Sequence, residues 1–307
     1  MTEDTIAGRL GGQPMAMDVA RGREFMAMAY PGQPVDLGAT MAGPVEVQRG
    51  ERFAVARSVA VMPIRGVLTP DSAALERYLG WATYQGIEVA CAELAANEDV
   101  AAVVLDVSCP GGMVRGLEAG AQAIAALAKA KPVHVLINPL AASAAYWLAC
   151  QATDISATPG SETGCIGTMR QSVWPVGPDN WGDKWDIHLS SHARAKNPNP
   201  TEDYGRAEIQ RSLDESEAHF LDAVAAGRGL ERDGLALALS VTDDPADGGA
   251  VFKPAEAISR GLVDTEETRA AFYDRIFSVY APKPAKPVQR AMSAKAKARA
   301  AKAISNT

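Results

Sequence analysis

Residues 100–112 read VAAVVLDVSCPGG and set the expectation for the whole fold. An almost continuous apolar run ends in a Ser-Cys-Pro-Gly-Gly turn, a pattern typical of a strand buried on both faces of a parallel sheet. Around it, strand and helix patterns alternate at 58–68, 87–96, 117–130, 132–137, 142–152, 154–157, 204–227 and 252–261. Repeated strand–helix–strand units predict an α/β fold with a mostly parallel sheet and right-handed crossovers.

The composition is that of a globular protein with an uneven distribution of charge. The chain has 307 residues, of which 47% are hydrophobic and 22% charged, and a formal net charge of −7. This composition excludes wholesale disorder. Beyond residue 280 there are seven Lys and Arg residues and no acid, which leaves −14 for residues 1–280. We therefore predict no nucleic-acid contact by the acidic body, and at most a weak contact by the basic tail.

The sequence divides into three regions. Residues 1–57 are rich in Gly, Pro and Met and form a predicted arm, partly irregular, with a short helix near 19–29. Residues 58–278 carry the strand–helix alternation and form one predicted domain. Residues 279–307 are a basic tail rich in Ala, Lys and Pro, for which we predict disorder.

Cysteine usage and the N-terminus indicate the compartment. The cysteines have long, irregular spacings and no Cys-x-x-Cys pair, so we predict no disulfide framework, metal site or cofactor. They are Cys91, Cys109, Cys150 and Cys165. The chain starts Met-Thr-Glu-Asp, with acid where a signal peptide has base, and no apolar run approaches the ~20 residues of a membrane span. These features predict a cytoplasmic protein with no signal peptide, no transmembrane segment and no membrane partner.

Three short segments carry candidate chemistry. In the first, Gly111 and Gly112 follow a strand and precede a helix, where backbone N–H groups can approach a ligand closely. The second, residues 140–147, reads LAASAAYW and places Ser143 between small residues after a buried strand, as at a strained nucleophile turn. The third, residues 161–168, reads SETGCIGT and is a glycine-rich loop. Taken alone, each segment is also compatible with an ordinary turn or helix start.

Together the three segments resemble the serine–lysine peptidases that comprise signal peptide peptidase A and the phage head-maturation (prohead, or capsid) proteases. That family has a Ser-Pro-Gly-Gly-like turn after a strand, then an Ala-Ser-small-small-Tyr helix start, then a Thr-Gly-Ser-Ile-Gly-like loop. The resemblance spans residues 59–263, and AASAAYW at 141–147 looks closer to the phage branch. It implies a ClpP/crotonase-like layered β-β-α superhelix and makes residues 58–278 a serine peptidase domain.

The resemblance also implies roles for individual residues. Ser143 would be the nucleophile, and the backbone N–H groups of Gly112 and Ala144 would form the oxyanion hole. One such donor is typically worth ~3–4 kcal/mol of transition-state stabilisation. Gly111, Gly164 and Cys165 would support this arrangement.

The implied general base is a lysine, because serine needs an activating partner. The family places this lysine after the glycine-rich loop and before the long helix, and Lys196 is the only lysine of the window 187–200. It must lose its proton near neutral pH, which requires desolvation. Relatives with a Gly-Ala-His-Lys pattern would place the lysine at Ala193 instead, and Lys184 lies too early.

Cys165 departs from the family pattern, which usually has a serine there to orient the lysine. A thiol is a weaker hydrogen-bonding group than a hydroxyl, so Thr163 and Thr168 are alternatives for that role. Cys165 as the nucleophile itself is disfavoured, because it lies in the loop rather than at the start of the helix.

A Ser–His pair is the alternative to the Ser–Lys dyad. His188 and His192 lie in the same window as the candidate lysine, and Asp106 or Asp186 would orient one of them. The other histidines suit this role poorly, since they fall inside a predicted strand and on the long helix; these are His134 and His219.

The leading functional hypothesis is a phage or prophage head-maturation protease that forms an acyl-enzyme on Ser143. Its partners would be scaffold, capsid or portal proteins, the enzyme's own termini, and further copies of the chain in a homo-oligomer. It would act in the bacterial cytoplasm or inside the procapsid. The alternatives are a cytoplasmic peptidase like signal peptide peptidase A and a catalytically inactive capsid assembly or scaffold protein. A crotonase acting on acyl-CoA is disfavoured, because that chemistry needs no serine at a helix start.

Overall fold

The computed structural model of the chain describes residues 5–6, 15–28, 30, 40–42, 44–48, 51–172, 174–175, 177–178, 181–184 and 186–281. The basic tail predicted at 279–307 lies outside the described residues from position 282 onward. Much of the arm predicted at 1–57 lies outside them as well.

The elements of the described residues follow the predicted alternation. The strands are β1 (Met15–Met17), β2 (Thr40–Ala42), β3 (Val45–Val47), β4 (Ala54–Ala56), β5 (Val59–Arg65), β6 (Ala102–Cys109), β7 (Gly111–Met113), β8 (Val133–Ala142), β9 (Asp154–Ala157), β10 (Glu162–Gly164), β11 (Val251–Phe252) and β12 (Thr265–Glu266). The helices are α1 (Val19–Ala27), α2 (Ala73–Leu79), α3 (Tyr84–Ala96), α4 (Leu117–Ala130), α5 (Ala144–Ala149), α6 (Asp203–Arg228), α7 (Leu235–Ala238), α8 (Pro254–Ser259) and α9 (Arg269–Tyr280). Short 3-10 turns lie at Arg194–Lys196 and Pro245–Asp247.

The central sheet has the strand order β11-β10-β8-β6-β5-β4. Strands β5, β6, β8 and β10 run parallel to one another, whereas β4 and β11 are antiparallel edge strands. Strand β9 pairs in parallel with β8, and β12 pairs in parallel with β9. The predicted α/β class with a mostly parallel sheet is therefore confirmed.

Strand β8 is longer than its sequence pattern predicts. The pattern ends at Asn138-Pro139, but the strand continues to Ala142. Its first half pairs with β9, and its last three residues pair with β10. The strand continues beyond the proline because β10 supplies a new partner there, and it therefore ends directly before Ser143.

Helix limits follow from local chemistry. The Oγ1 atom of Thr83 accepts a hydrogen bond from the N–H of Gly86 at 2.9 Å, which caps the start of α3. The side chain of Thr268 caps α9 in the same way. Helix α6 ends at Gly229, whose φ of 64° is accessible to glycine without strain. Within the described part of the chain, no helix is both long and apolar enough to span a membrane.

Helices cover both faces of the sheet. On one face, α3, α4 and α5 pack against alternate residues of the central strands, such as Leu105. On the other face, α9 packs Phe272 against Val104 and Leu136. Strand β3 contributes to this second cluster, and β4 pairs with β5. The packed body therefore includes segments from within the region predicted as an arm.

A buried carboxylate ties α9 to the sheet. Asp106 of β6 is fully buried and faces α9. Its Oδ1 atom accepts from Arg65 at 2.5 Å, and its Oδ2 atom accepts from Arg269 at 2.7 Å and from the Tyr273 hydroxyl at 2.9 Å. Burial, together with the neighbouring Asp106 carboxylate, raises the pKa of Tyr273, so its hydroxyl stays a donor.

Replacing Asp106 with Asn should lower the free energy of unfolding by about 3 kcal/mol, because removing one partner leaves buried charge uncompensated. Urea denaturation of the two proteins measures the difference. The matched control is Asp222→Asn, which breaks an exposed ion pair with Arg232 and should cost about 1 kcal/mol or less. Equal losses for the two variants would contradict the role assigned to the buried carboxylate.

Candidate active site

Ser143 lies at the junction of β8 and α5 in a strained backbone conformation. Its φ is 54° and its ψ is −120°, a region that favours glycine. Such a residue costs of the order of 1–3 kcal/mol and persists only where the surroundings fix it. Here its N–H donates to the carbonyl oxygen of Gly164 at 2.7 Å, and its own carbonyl accepts from the N–H of Trp147 at 3.0 Å. The turn therefore has the strained geometry that the sequence pattern predicts.

Helix α5 is held rigidly behind this turn. Ala144 and Ala145 are completely buried, which explains why only small residues flank Ser143. The hydroxyl of Tyr146 donates to the carbonyl oxygen of Leu262 at 2.9 Å, and burial raises its pKa. The ring of Trp147 stacks on a phenylalanine of α6 with ring centroids 4.6 Å apart. The start of α5 is thus fixed by contacts from two distant segments.

The glycine turn lies beside this helix as strand β7. The N–H of Leu68 donates to the carbonyl of Gly111 at 2.9 Å, and the N–H of Met113 donates to the carbonyl of Leu68 at 2.9 Å. The hydroxyl of Tyr84 donates to the carbonyl of Met113 at 2.5 Å. A Cβ atom on Gly112 would lie 2.1 Å from the Leu68 carbonyl oxygen. Only glycine fits at this position.

The predicted oxyanion donors lie on adjacent elements. Because Gly111 and Met113 bond to Leu68, the alternation of an extended strand directs the N–H of Gly112 to the opposite side. Ala144 is the first residue of α5, so its N–H lacks an acceptor within the helix. The position of a Cβ on Gly111 is only 3.0 Å from the carbonyl oxygen of Ala142, the residue before Ser143. The oxyanion role of these N–H groups stays a prediction.

The third segment completes the surroundings of Ser143. Strand β10 pairs with the end of β8, and the Ser143 hydroxyl donates to the carbonyl of Gly167 at 3.5 Å, a long contact. Cys165 has a φ of 54°, and its N–H donates to the carbonyl of Ala250 at 2.7 Å. The structure thus brings together the three segments that the sequence singles out.

The two threonines considered as replacements for the missing serine hydroxyl bond elsewhere. Thr163 donates through Oγ1 to the carbonyl of Ala141 at 2.7 Å. Thr168 donates through Oγ1 to the carbonyl of Leu213 in α6 at 3.0 Å. Both hydroxyls therefore stabilise the loop and are not directed at a lysine.

The candidate bases are not in contact with Ser143. Lys196 lies in a 3-10 turn and is exposed, and in the described ranges no hydrogen bond joins its side chain to Ser143. His192 is exposed as well, and His188 pairs with Asp186 at 3.2 Å, with both side chains more than four-fifths exposed. The desolvation that a lysine base requires is therefore not present in this arrangement, and Lys196 stays a prediction.

Asp106, considered above as a partner for a catalytic histidine, does not have that role. Its carboxylate lies on the opposite face of the sheet, bound to two arginines and a tyrosine. The sequence places it at the end of a strand that leads to the glycine turn, but the alternation of side chains directs it away from the cleft.

The sequence does not predict one element of the site. Strand β1 pairs antiparallel with β7, so that Ala16 lies opposite Gly112. Met15 also exchanges two backbone hydrogen bonds with Met169, just after the glycine-rich loop, at 2.9 Å each. A short apolar triplet in a Gly- and Met-rich region gives no signal for such a distant pairing.

The four cysteines differ in accessibility, and none is in a disulfide. Burial raises the pKa of the Cys109 thiol to about 12, although the N–H of Gly111 and the charge of Arg65 oppose this. Burial has the same effect on Cys91 and Cys150. Cys165 is partly exposed. In the described residues, no cluster of three or more His, Cys, Asp or Glu side chains could hold a metal ion.

Iodoacetamide at pH 8 should therefore alkylate Cys165 at least tenfold faster than any other cysteine of the folded protein, because the reagent needs an accessible thiolate. Peptide mass mapping of timed samples gives the four rates. In urea the four should react at similar rates, which is the control. Modification of Cys109 as fast as Cys165 would contradict the burial described here.

Residues 125–277 match the family model described as peptidase family S49. The chain is 31% identical over 220 residues to the capsid assembly protease C of Escherichia phage lambda. This alignment covers 71% of this chain and 48% of that protein. It is 30% identical over 259 residues to the head-tail preconnector protein GP5 of Enterobacteria phage P21, and this alignment covers 83% of this chain and 49% of that protein. Protease 4 of Haemophilus influenzae is 29% identical to it over 225 residues, and this alignment covers 70% of this chain and 34% of that protein.

The chain spans about half the length of the two phage relatives it matches. The family resemblance inferred from the motifs is confirmed by these matches, and the described residues have the mostly parallel α/β sheet that the resemblance implies. Solved structures that match part of the chain include an enoyl-CoA hydratase/isomerase family member, at 18% identity and a TM-score of 0.39. The match covers 74% of this chain and 72% of that one. Another is an enoyl-CoA hydratase from Mycobacterium marinum, at 13% identity and a TM-score of 0.42, where the match covers 76% of this chain and 92% of that one.

Proposed function

Because the chain belongs to peptidase family S49, we propose that it is a serine endopeptidase with Ser143 as its nucleophile. The observation that carries the proposal is the backbone of Ser143, held at a φ of 54° between a strand end and a helix start. Strain of this kind is stored at functional sites, and the glycine turn lies beside Ser143, since a Cβ atom on Gly111 would be 3.0 Å from the carbonyl oxygen of Ala142.

The proposed reaction has two steps. The Ser143 Oγ atom attacks the carbonyl carbon of the substrate while a base takes its proton, and the negative oxygen is held by the N–H groups of Gly112 and Ala144. The amine leaves with the proton from the base, and an acyl-enzyme remains on Ser143. Water then attacks the ester through the same base, releasing the acid and restoring the hydroxyl.

Lys196 is the proposed base, supported by its place between the glycine-rich loop and α6. The 3-10 turn that carries it is exposed, so the proposal requires this turn to approach Ser143 and lose solvent when a substrate binds.

The choice of base can be tested by two single variants. Lys196→Ala should lower kcat at least a hundredfold, within the range for removing a general base, whereas His192→Ala should change it less than threefold. Rates of peptide-bond cleavage at several pH values compare the two with the unaltered protein. If only the histidine variant loses activity, the lysine assignment is wrong.

The proposed substrates are the scaffold, capsid or portal proteins of a phage or prophage, and the enzyme's own termini. Support comes from the matches to a capsid assembly protease and a head-tail preconnector protein. The proposal includes assembly of the chain into a homo-oligomer, and action in the host cytoplasm or inside the procapsid. The chain would thus cleave proteins that surround it during head assembly.

The test is co-expression of the chain with the capsid and scaffold proteins of its own genome, followed by mass spectrometry of all components. New termini are expected with the unaltered chain, and none with Ser143→Ala. Intact partners and intact chain in both cultures would rule out the protease.

A catalytically inactive assembly protein is the second candidate. It is favoured by the burial of Ser143, of which only 1% is exposed, and by the exposure of the candidate bases Lys196, His188 and His192. In that case the same co-expression should give normal heads with uncleaved components from both the unaltered and the Ser143→Ala chain.

A further inference from the structure

Residues 15–18 of the N-terminal arm cross the proposed active site as an extended strand. On one edge they pair antiparallel with β7, and the N–H of Asp18 donates to the carbonyl of Pro110 at 2.8 Å. On the other edge Met15 and Met169 exchange backbone hydrogen bonds. The strand therefore bridges the glycine turn and the segment after the glycine-rich loop, which lie on either side of Ser143.

This strand engages the N–H group proposed to stabilise the oxyanion. The N–H of Gly112 is directed away from Leu68, and the residue opposite it is Ala16. A Cβ atom on Gly111 would lie 2.2 Å from the carbonyl oxygen of Ala16 and 3.0 Å from that of Ala142. The absence of a side chain at Gly111 thus lets the arm's backbone come close to the residue that precedes Ser143.

The proposed nucleophile and the arm residue opposite Gly112 are both inaccessible to solvent. Ala16 is completely buried, and only 1% of Ser143 is exposed. A serine that attacks peptides from solution must be reachable, so a substrate cannot enter while this arrangement persists. Peptides commonly bind by adding a strand to an exposed sheet edge, and the edge of β7 is already taken.

We propose that residues 15–18 are an intramolecular inhibitor that occupies the strand position of the peptide substrate. The inference rests on the proposed peptidase function and adds its regulation. A substrate binds in an extended conformation, antiparallel to Gly111–Met113, once the arm has left. Whatever displaces or removes the arm, such as a binding partner during assembly, therefore activates the enzyme.

A reversible cross-link tests the proposal. Met15 and Met113 are opposite each other as a non-hydrogen-bonded pair, with a Cα separation of about 4.5 Å that is within the range for disulfides. The double variant Met15→Cys, Met113→Cys, oxidised and verified by mass, should react with a fluorophosphonate at Ser143 at least tenfold more slowly than the same protein after reduction. Equal rates in the two forms would overturn the proposal.

The opposite change should release the arm. Met15→Pro removes the N–H that bonds to Met169, and labelling of Ser143 should become about tenfold faster, as loss of roughly one or two backbone hydrogen bonds allows. The control is Glu24→Ala, at an exposed position of α1 in the same arm, which should react at the unaltered rate. An unchanged or lower rate for Met15→Pro, with an unchanged melting temperature, would also overturn the inhibitor role.

A binding measurement separates this inference from the proposed function. A fluorescent peptide with the sequence of residues 13–20, QPMAMDVA, is titrated into proteins that also carry Ser143→Ala. It should bind the Met15→Pro protein at least tenfold more tightly than the oxidised double variant. If the peptide binds in this order but the proteins that retain Ser143 show no labelling there, the proposed peptidase function is rejected and the position of the arm stands. Equal affinities would reject the arm's role.

Discussion

Replacing Ser143 with Ala is expected to lower the rate of peptide-bond cleavage by at least about 10⁴-fold, since loss of a covalent nucleophile leaves only the contribution of binding and oxyanion stabilisation. Among the residues that the structure describes, the only hydrogen bond of this hydroxyl is the 3.5 Å contact with Gly167, so its removal should change the free energy of unfolding by less than about 1 kcal/mol. Cleavage kinetics and urea denaturation measure the two quantities. A variant that retains a tenth of the activity would contradict the assignment.

The companion variant Ser143→Gly separates the hydroxyl from the strain. It should be as inactive as Ser143→Ala but more stable than it by about 1 kcal/mol, because glycine adopts a φ of 54° without a side-chain clash. Ser212 in the middle of α6 is the matched control, where Gly should be less stable than Ala by about 1 kcal/mol. A Gly variant that is more stable than the Ala variant at position 143, but less stable than it at position 212, would identify backbone strain at Ser143 that is stored for function.

Replacing Gly112 with Ala is expected to lower kcat by about 10²–10³-fold, the usual cost of losing one oxyanion donor. The added Cβ would lie 2.1 Å from the carbonyl oxygen of Leu68 and 2.6 Å from its nitrogen. Both are backbone atoms, so β7 itself must move, and with it the N–H group that is proposed to stabilise the oxyanion. Protein stability should fall as well.

The matched control is Gly248→Ala, where the nearest atom to the new Cβ is 3.9 Å away and no loss of activity is expected. A circular dichroism spectrum and a melting curve show whether the Gly112→Ala protein remains folded. If it folds and cleaves within twofold of the unaltered rate, Gly112 does not supply an oxyanion donor.

The sequence predicts the central fold well because its signals are local. Continuous apolar runs indicate strands such as Ala102–Cys109, and the Ala-rich pattern gives α4 with the observed limits. The position of Ser143 at a strand-to-helix turn also follows from neighbouring residues. Small side chains are required there because Ala144 and Ala145 are completely buried.

The remaining features depend on contacts between distant parts of the chain. Strand β8 continues past Pro139 only because β10 is there to pair with it. Asp106 is directed toward α9 by the alternation of its strand, which the motif alone does not reveal. The pairing of β1 with β7 joins segments nearly a hundred positions apart, and no local periodicity encodes it. Interactions of this kind are decided by packing rather than by propensity.

The most direct test of the account is to react the full chain with a fluorophosphonate and identify the modified residue by fragmentation mass spectrometry. The prediction is a single adduct on Ser143, formed slowly while the arm is in place and absent from the Ser143→Ala protein. An adduct on Cys165, or no adduct on a chain that still cleaves its partner proteins, would contradict the assignment of Ser143 as the nucleophile.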